Sequence, residues 1–233
     1  MSSAVVLVVA VLVLTNLLNH LWLRRLSVVT GPVVAGLLVL VGKLSGLSWT
    51  ELGMGKRSIV TGLVWAVAAV LLVALGYAVA LALPFAHRAA PSPPSTRTAV
   101  YAALVEVPFA TVLLEEVAFR GVLWGLLDAE YGAWAATGVS ALLFGLWHVA
   151  GALEDDGVGR PAWLAGSWWG ATLWVAGTVL FTAAAGVLFA GVRVLSGSVF
   201  AAMGLHWATN GIGTLFALLA PRAAVRRAAA RRP

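Results

Sequence analysis

The sequence contains no cysteine and few charged residues. Only 10% of its 233 residues are Asp, Glu, Lys or Arg, whereas about a quarter of the residues in soluble domains are charged. The absence of cysteine excludes a disulfide framework, a thiolate nucleophile and any zinc or iron–sulfur site that uses cysteine ligands. The sequence also lacks a nucleic-acid-binding motif, so no nucleic-acid partner is predicted.

Long apolar runs take the place of the missing charge. Hydrophobic residues make up 61% of the chain, and the mean hydropathy is +0.98. About 20 apolar residues in a helix cross a hydrocarbon core of about 30 Å, and lipid offers no partner to unpaired backbone groups. The predicted fold class is therefore all-α, a polytopic transmembrane helical bundle of about seven spans. The predicted spans are 4–23, 28–47, 59–83, 103–127, 133–150, 171–191 and 198–219.

Composition divides the chain into four parts. Residues 1–86 are predicted to be N-terminal transmembrane segments, 87–98 a Pro-rich linker, 99–220 a transmembrane core that carries the buried polar chemistry, and 221–233 a basic tail. The first apolar run lacks a basic region before it and is followed by two arginines, so we interpret it as a retained span. Its three polar residues near position 20 are interpreted as contacts between helices. They are Asn16, Asn19 and His20.

The arginines predict a topology. The tail 221–233 holds five of them, which favours a cytoplasmic C-terminus for a multi-pass protein of the cell membrane. With seven spans the N-terminus lies outside, and His148 lies at the cytoplasmic end of the fifth span. Lys43, Lys56 and Arg57 would then lie outside, although basic residues usually lie on the cytoplasmic side. The topology of the first three segments therefore stays open. The preference for Arg over Lys indicates a bacterial origin.

Three polar clusters lie within the apolar core. The first is EEVAFR, residues 115–120. Glu116 and Arg120 are four residues apart, so on a helix they share a face and can form an ion pair. Glu115 points about 100° away from Glu116. It can therefore face a cavity, where a carboxylate can act as a general base.

The other two clusters carry the histidines of the core. FGLWH places Phe144 and His148 four residues apart, and HWATN does the same for His206 and Asn210. A charged residue at mid-bilayer costs about 2.5–3.5 kcal/mol, so polar groups in three spans indicate a functional site. If the spans face one another, the site contains a carboxylate, two imidazoles and a carboxamide. These groups can supply a base, a second acid or base, and donors to an oxyanion, as a hydrolase requires.

The three clusters together resemble a known family. EExxFRG, FxxxH and HxxxN, in this order and on separate spans, are similar to the motifs of the CAAX prenyl protease and bacteriocin-processing family. Its members are intramembrane glutamate-dependent endopeptidases, often described as metalloproteases. The resemblance covers residues 99–219. It implies that Glu115 is the catalytic glutamate, that His148 helps it to activate water, and that His206 and Asn210 hold the oxyanion.

The resemblance also implies supporting roles and partners. Glu116, Arg120 and Phe144 match further fixed positions and are expected to be structural and orienting residues. The site is expected to lie within the membrane and to open to the cytoplasmic side. The expected partners are membrane lipids and a peptide or protein substrate, with or without a lipid anchor.

Two questions stay open at this stage. The favoured mechanism requires no cofactor, but Glu115, His148 and His206 could instead bind zinc or another divalent metal, with water as the fourth ligand. The second question is whether the chain is an enzyme. The alternative is a non-catalytic membrane peptide-binding or bacteriocin-immunity factor that uses the same cavity. A proton-coupled transporter is disfavoured because the sequence shows no repeat symmetry.

Overall fold

The computed structural model describes residues 2–23, 26–83, 95–154, 164 and 166–220. Within these residues the chain forms seven long helical runs and no strand, which confirms the predicted all-α class. The tail 221–233, most of the predicted linker and most of the loop after Glu154 lie outside the described residues.

The helices follow one another with short connections. Helix α1 is Ser2–Leu18, with a π-helical end at Asn19–Leu23; α2 is Ser27–Leu44; α3 is Lys56–Ala82. Helix α4 is the run 96–131, in which Ala102–Val112 and Val117–Val122 are π-helical. Helix α5 is Ala133–Trp147, α6 is Val149–Glu154 and α7 is Trp168–Ser196. Helix α8 is the run 199–220, formed by Val199–Trp207, a π-helical segment Ala208–Ile212 and further helical turns.

Five helical segments of the described chain are long and apolar enough to cross a membrane. They are Ser3–Leu21, Ser27–Leu44, Lys56–Ala82, Ala133–Glu154 and Trp168–Ser196. The other two long runs, α4 and α8, are divided by π-helical segments and hold the buried residues Glu115, Glu116, Arg120 and His206. The chain is therefore a multi-pass membrane protein with five spans defined by length and hydropathy, and with two further long helices, α4 and α8.

Helix α4 starts earlier than the predicted span, and a proline within it makes it irregular. It begins at Thr96, where the Ser95 hydroxyl accepts the N–H of Thr98 at 3.1 Å and caps the first turn. Pro108 has no N–H to donate to the helix. The N–H of Leu113 bonds to the Pro108 carbonyl, five residues back. Such π-helical turns often occur at functional sites.

The bundle has two distinct ends. At one end, the loop after α2 contacts the turn between α7 and α8: the N–H of Val199 donates to the Gly53 carbonyl at 3.1 Å, and Arg193 donates to the Glu51 carbonyl at 2.8 Å. Hydrogen bonds from the side chain and backbone of Ser48 lower the pKa of Glu51 in this loop. The ends of α1 and α5 meet at the opposite end, which we call the His148 end.

Helices α5 and α7 pack closely enough to require glycine. A Cβ on Gly145 would lie 2.6 Å from the Val179 carbonyl oxygen, and one on Gly186 would lie 3.0 Å from the Cα of Ala141. This close approach brings the α5 cluster around Phe144 against α7. It positions the aromatic wall of the site.

Candidate active site

Glu116 and Arg120 form the buried ion pair that their spacing predicts. The exposed fraction of the side chain is 0% for Glu116 and 1% for Arg120, and Arg120 donates to Oε1 of Glu116 at 3.2 Å. Both lie on α4, at the boundary between the helical turn Leu113–Glu116 and the π-helical segment that follows. A buried charge that loses its partner is costly, so each of these groups depends on the other.

Aromatic rings surround the Arg120 guanidinium. Its central carbon lies 4.0 Å from the centroid of Phe144, 5.2 Å from that of Phe189 and 6.0 Å from that of Phe119. It also donates to the Gly186 carbonyl at 3.4 Å. Guanidinium groups pack favourably on aromatic faces, so this buried cation joins α4 to α5 and α7.

His206 on α8 is held between the two glutamates. Its Nδ1 lies 2.7 Å from Oε1 of Glu116, and its Nε2 lies 3.8 Å from Oε2 of Glu115. The ring is 3% exposed and stacks on Phe189, with centroids 4.8 Å apart. A carboxylate only accepts hydrogen bonds, so Nδ1 carries a hydrogen and Nε2 faces Glu115.

Glu115 has one partnered oxygen and one without a partner. The Trp147 indole N–H donates to Oε1 at 2.9 Å. Oε2 has no hydrogen-bond partner among the described residues, and the residue is 5% exposed. Buried polar atoms are almost always partnered. An unpartnered carboxylate oxygen beside a histidine is therefore the position at which a polar ligand would bind.

His148 occupies a break at the end of α5. Its backbone N–H bonds to the Gly145 carbonyl, three residues back. The Phe144 carbonyl, four residues back, therefore does not receive this backbone N–H. It lies 2.8 Å from the Nδ1 of the His148 ring instead. Because a carbonyl only accepts, Nδ1 donates here, and Nε2 is the ring nitrogen left available for another partner. His148 is partly buried.

A cavity of about 590 Å³ brings the predicted histidines and the amide together. His148, His206 and Asn210 all line it, and Asn210 is exposed. Most of its remaining wall is apolar or aromatic. The lining also includes Phe144, Phe181, Ala184, Ala185, Leu188 and Phe189, with the hydroxyl residues Tyr77, Thr182 and Thr209. Glu115 lies behind this wall, next to the Nε2 of His206, rather than in the lining itself.

The side chains proposed as zinc ligands do not form a metal site in the described structure. Among the described residues, no group of three or more His, Asp or Glu side chains is arranged to hold a metal ion. Glu115 and His206 are neighbours, whereas the polar contact of His148 is to the Phe144 carbonyl. The mechanism proposed below therefore has no step that passes through a metal.

Sequence reasoning missed two residues that shape the site. Trp147 donates to Glu115, and its only sequence signal was its place beside His148 in FGLWH. Phe189 stacks on His206 and faces Arg120. It lies in a uniformly apolar span that gave no signal. The bond from His206 to Glu116 was not predicted either, because it joins helices 90 residues apart in sequence.

The fold and the site define a helical membrane protein with a buried, polar, hydrolase-like centre. Residues 96–212 match the family model of the type II CAAX prenyl endopeptidases, described as Rce1-like. The match spans 117 of the 233 residues and includes all three motifs. The chain belongs to this family, and its activity is accordingly that of a peptidase. No match was found among curated proteins or among solved structures.

Proposed function

We propose that this protein is an intramembrane endopeptidase that hydrolyses a peptide bond with water activated by Glu115 and His148. The observation that carries the proposal is the unpartnered Oε2 of Glu115, buried beside the Nε2 of His206. A carboxylate oxygen without a protein partner can accept a hydrogen from water. The family supports peptide hydrolysis in general, and the residue roles are our proposal.

The first step is the attack of water on the substrate carbonyl carbon. Glu115 accepts a hydrogen bond from the water, and the Nε2 of a neutral His148 takes the other hydrogen of the water as a proton while the new carbon–oxygen bond forms. The carbon–nitrogen bond then breaks, and the same proton passes to the leaving amine. The contact of the His148 Nδ1 with the Phe144 carbonyl supports this role, because it keeps Nε2 free to accept.

His206 and Asn210 are proposed to stabilise the tetrahedral intermediate. Both line the cavity, and the Asn210 amide can donate to an oxyanion. The Nδ1–H of His206 is committed to Glu116, so His206 would donate through a protonated Nε2. Preorganised donors of this kind typically contribute about 10²–10³ in rate each.

The lining of the cavity supports a partly apolar substrate. Its wall combines aromatic and aliphatic side chains with a few polar groups, as expected for a peptide segment that enters the membrane surface, with or without a lipid anchor. The His148 end is proposed to face the cytoplasm. Helix α8 runs away from the Gly53 contact toward this end, and five arginines follow it in the sequence.

The decisive experiment compares the wild-type protein with Glu115→Gln in detergent. Each protein is incubated with a mixed peptide pool, and cleavage products are identified by mass spectrometry. We expect cleavage by the wild type and none above background by Glu115→Gln, because a neutral amide lacks the negative charge with which the carboxylate orients and polarises the attacking water. Parallel samples with a chelator test whether cleavage depends on a divalent metal.

The matched control is Glu106→Gln, which makes the same substitution at an exposed position of the same helix. It should cleave as the wild type does. Equal cleavage by the wild type and Glu115→Gln would refute the proposed role of Glu115. Peptide binding without cleavage, unchanged in Glu115→Gln, would instead identify a peptide-binding factor.

A further inference from the structure

The contact between Trp147 and Glu115 joins two helices at the reacting carboxylate. The indole Nε1–H on α5 donates to Oε1 of Glu115 on α4 at 2.9 Å. Among the described residues, the Glu115 carboxylate accepts this one hydrogen bond, and its other oxygen, Oε2, has no partner. An indole N–H only donates, and a bond to an ionised acceptor is stronger than one between neutral groups. The contact therefore fixes which oxygen faces His206.

Trp147 is itself held in place from two sides. Its ring makes an edge-to-face contact with Phe119, with centroids 5.9 Å apart. Its carbonyl accepts the side-chain amide of Asn16 on α1 at 2.9 Å. Trp147 is the last residue of α5, and carbonyls at a helix end need partners from outside the helix. Asn16 supplies one of these partners.

We infer that Trp147 is a positioning residue for Glu115 and that Asn16 of the N-terminal helix supports it. The inference rests on the proposed function. Asn16 lies outside the region that matches the family, residues 96–212, so α1 contributes to the geometry of the site. Leu12 and Val13 of α1 line the same apolar cavity as Trp147, so α1 borders the tryptophan with apolar side chains as well as with Asn16.

The test is Trp147→Phe, which keeps an aromatic ring and removes the donor. The matched control is Trp124→Phe. Trp124 on α4 donates its indole N–H to Thr137 on α5 at 3.2 Å, so it joins the same two helices away from the site. We expect kcat for peptide cleavage to fall about 10–100-fold in Trp147→Phe, because a misplacement of about 1 Å in a reacting group can cost about 10² in rate. KM should stay unchanged, and Trp124→Phe should keep the wild-type kcat.

A second variant separates the lost donor from the lost volume. Replacing Trp147 by benzothienylalanine puts sulfur in place of the N–H and keeps the shape of the indole. The same fall in kcat is expected, with the thermal unfolding temperature of the wild type. This variant also decides the question if Trp147→Phe does not fold.

Asn16→Leu tests the support from α1, and Asn19→Leu is its control. Asn19 accepts from Thr30 on α2 at 3.3 Å, so its hydrogen bond joins α1 to α2 rather than to Trp147. Only Asn16→Leu should lower kcat. Wild-type kcat in the benzothienylalanine protein, or an equal loss in Trp147→Phe and Trp124→Phe, would overturn the inference. Failure of the proposed function is recognised separately, by cleavage that persists in Glu115→Gln.

Discussion

Oε1 of Glu116 accepts from both Arg120 and His206, at 3.2 Å and 2.7 Å. One carboxylate oxygen thus fixes a cation on its own helix and an imidazole on α8. Because the His206 Nδ1 is bound to Glu116, its Nε2 can face only Glu115 and the cavity. Glu116 is therefore proposed to orient the histidine, much as a buried carboxylate orients the histidine of a serine protease.

Substituting Glu116 should impair chemistry more than binding. In Glu116→Gln the amide group can present an N–H to His206 and reverse the tautomer of the ring. We expect kcat to fall by about 10² or more, since the equivalent carboxylate-to-amide change in a serine protease costs about 10⁴. Single-turnover cleavage and KM are the measurements. A kcat close to that of Glu106→Gln would show that the orientation of His206 does not depend on the charge of Glu116.

Removing the buried arginine should destabilise the fold. Arg120→Leu leaves Glu116 charged, fully buried and without its cation, which typically costs about 3–5 kcal/mol. Arg120→Lys should recover only part of this loss, because an ammonium group lacks the planar face that packs on Phe144. Thermal unfolding in detergent measures the stability of both variants. If Arg120→Leu combined with Glu116→Leu is no more stable than Arg120→Leu alone, an unpaired charge is not the cause.

Asn210 provides a test of the oxyanion site that does not disturb the core. It is exposed on the cavity wall, so Asn210→Ala should fold normally and lower kcat about 10²–10³-fold. The control is Thr182→Ala. This residue lines the same cavity, but its hydroxyl donates to the Thr178 carbonyl of its own helix at 2.8 Å. Equal activity in both variants would remove Asn210 from the mechanism.

Two glycines of α5, Gly145 and Gly138, allow the effect of helix packing on stability to be measured apart from the effect of helix propensity. A Cβ at position 145 would meet the Val179 carbonyl oxygen at 2.6 Å, whereas one at position 138 would meet nothing within 4 Å. Gly145→Ala should therefore push α7 away, lower the unfolding temperature and reduce activity. Gly138→Ala should be neutral or stabilise by about 0.5–1 kcal/mol, because alanine favours a helix over glycine. Identical unfolding temperatures for the two variants would contradict the close packing of α5 and α7.

The local features of the site could be read from the sequence because helical spacing is a local property. Glu116 and Arg120 pair as their separation of four residues predicts, and Phe144 contacts His148 for the same reason, with ring centroids 4.8 Å apart. Hydropathy determined the all-helical membrane fold, because a chain in lipid must satisfy its backbone groups within helices. The roles of Glu115, His148, His206 and Asn210 in catalysis stay predictions.

Only the tertiary structure decided which helices meet and which oxygen atoms stay unpaired. The contacts from His206 to Glu116 and from Trp147 to Glu115 join residues 90 and 32 positions apart. In lipid, helices associate through close packing and interhelical hydrogen bonds rather than through a hydrophobic stripe that a sequence reveals. The close approach of Gly145 to α7 and the break in α5 at His148 are further features of this kind, and neither follows from residue spacing.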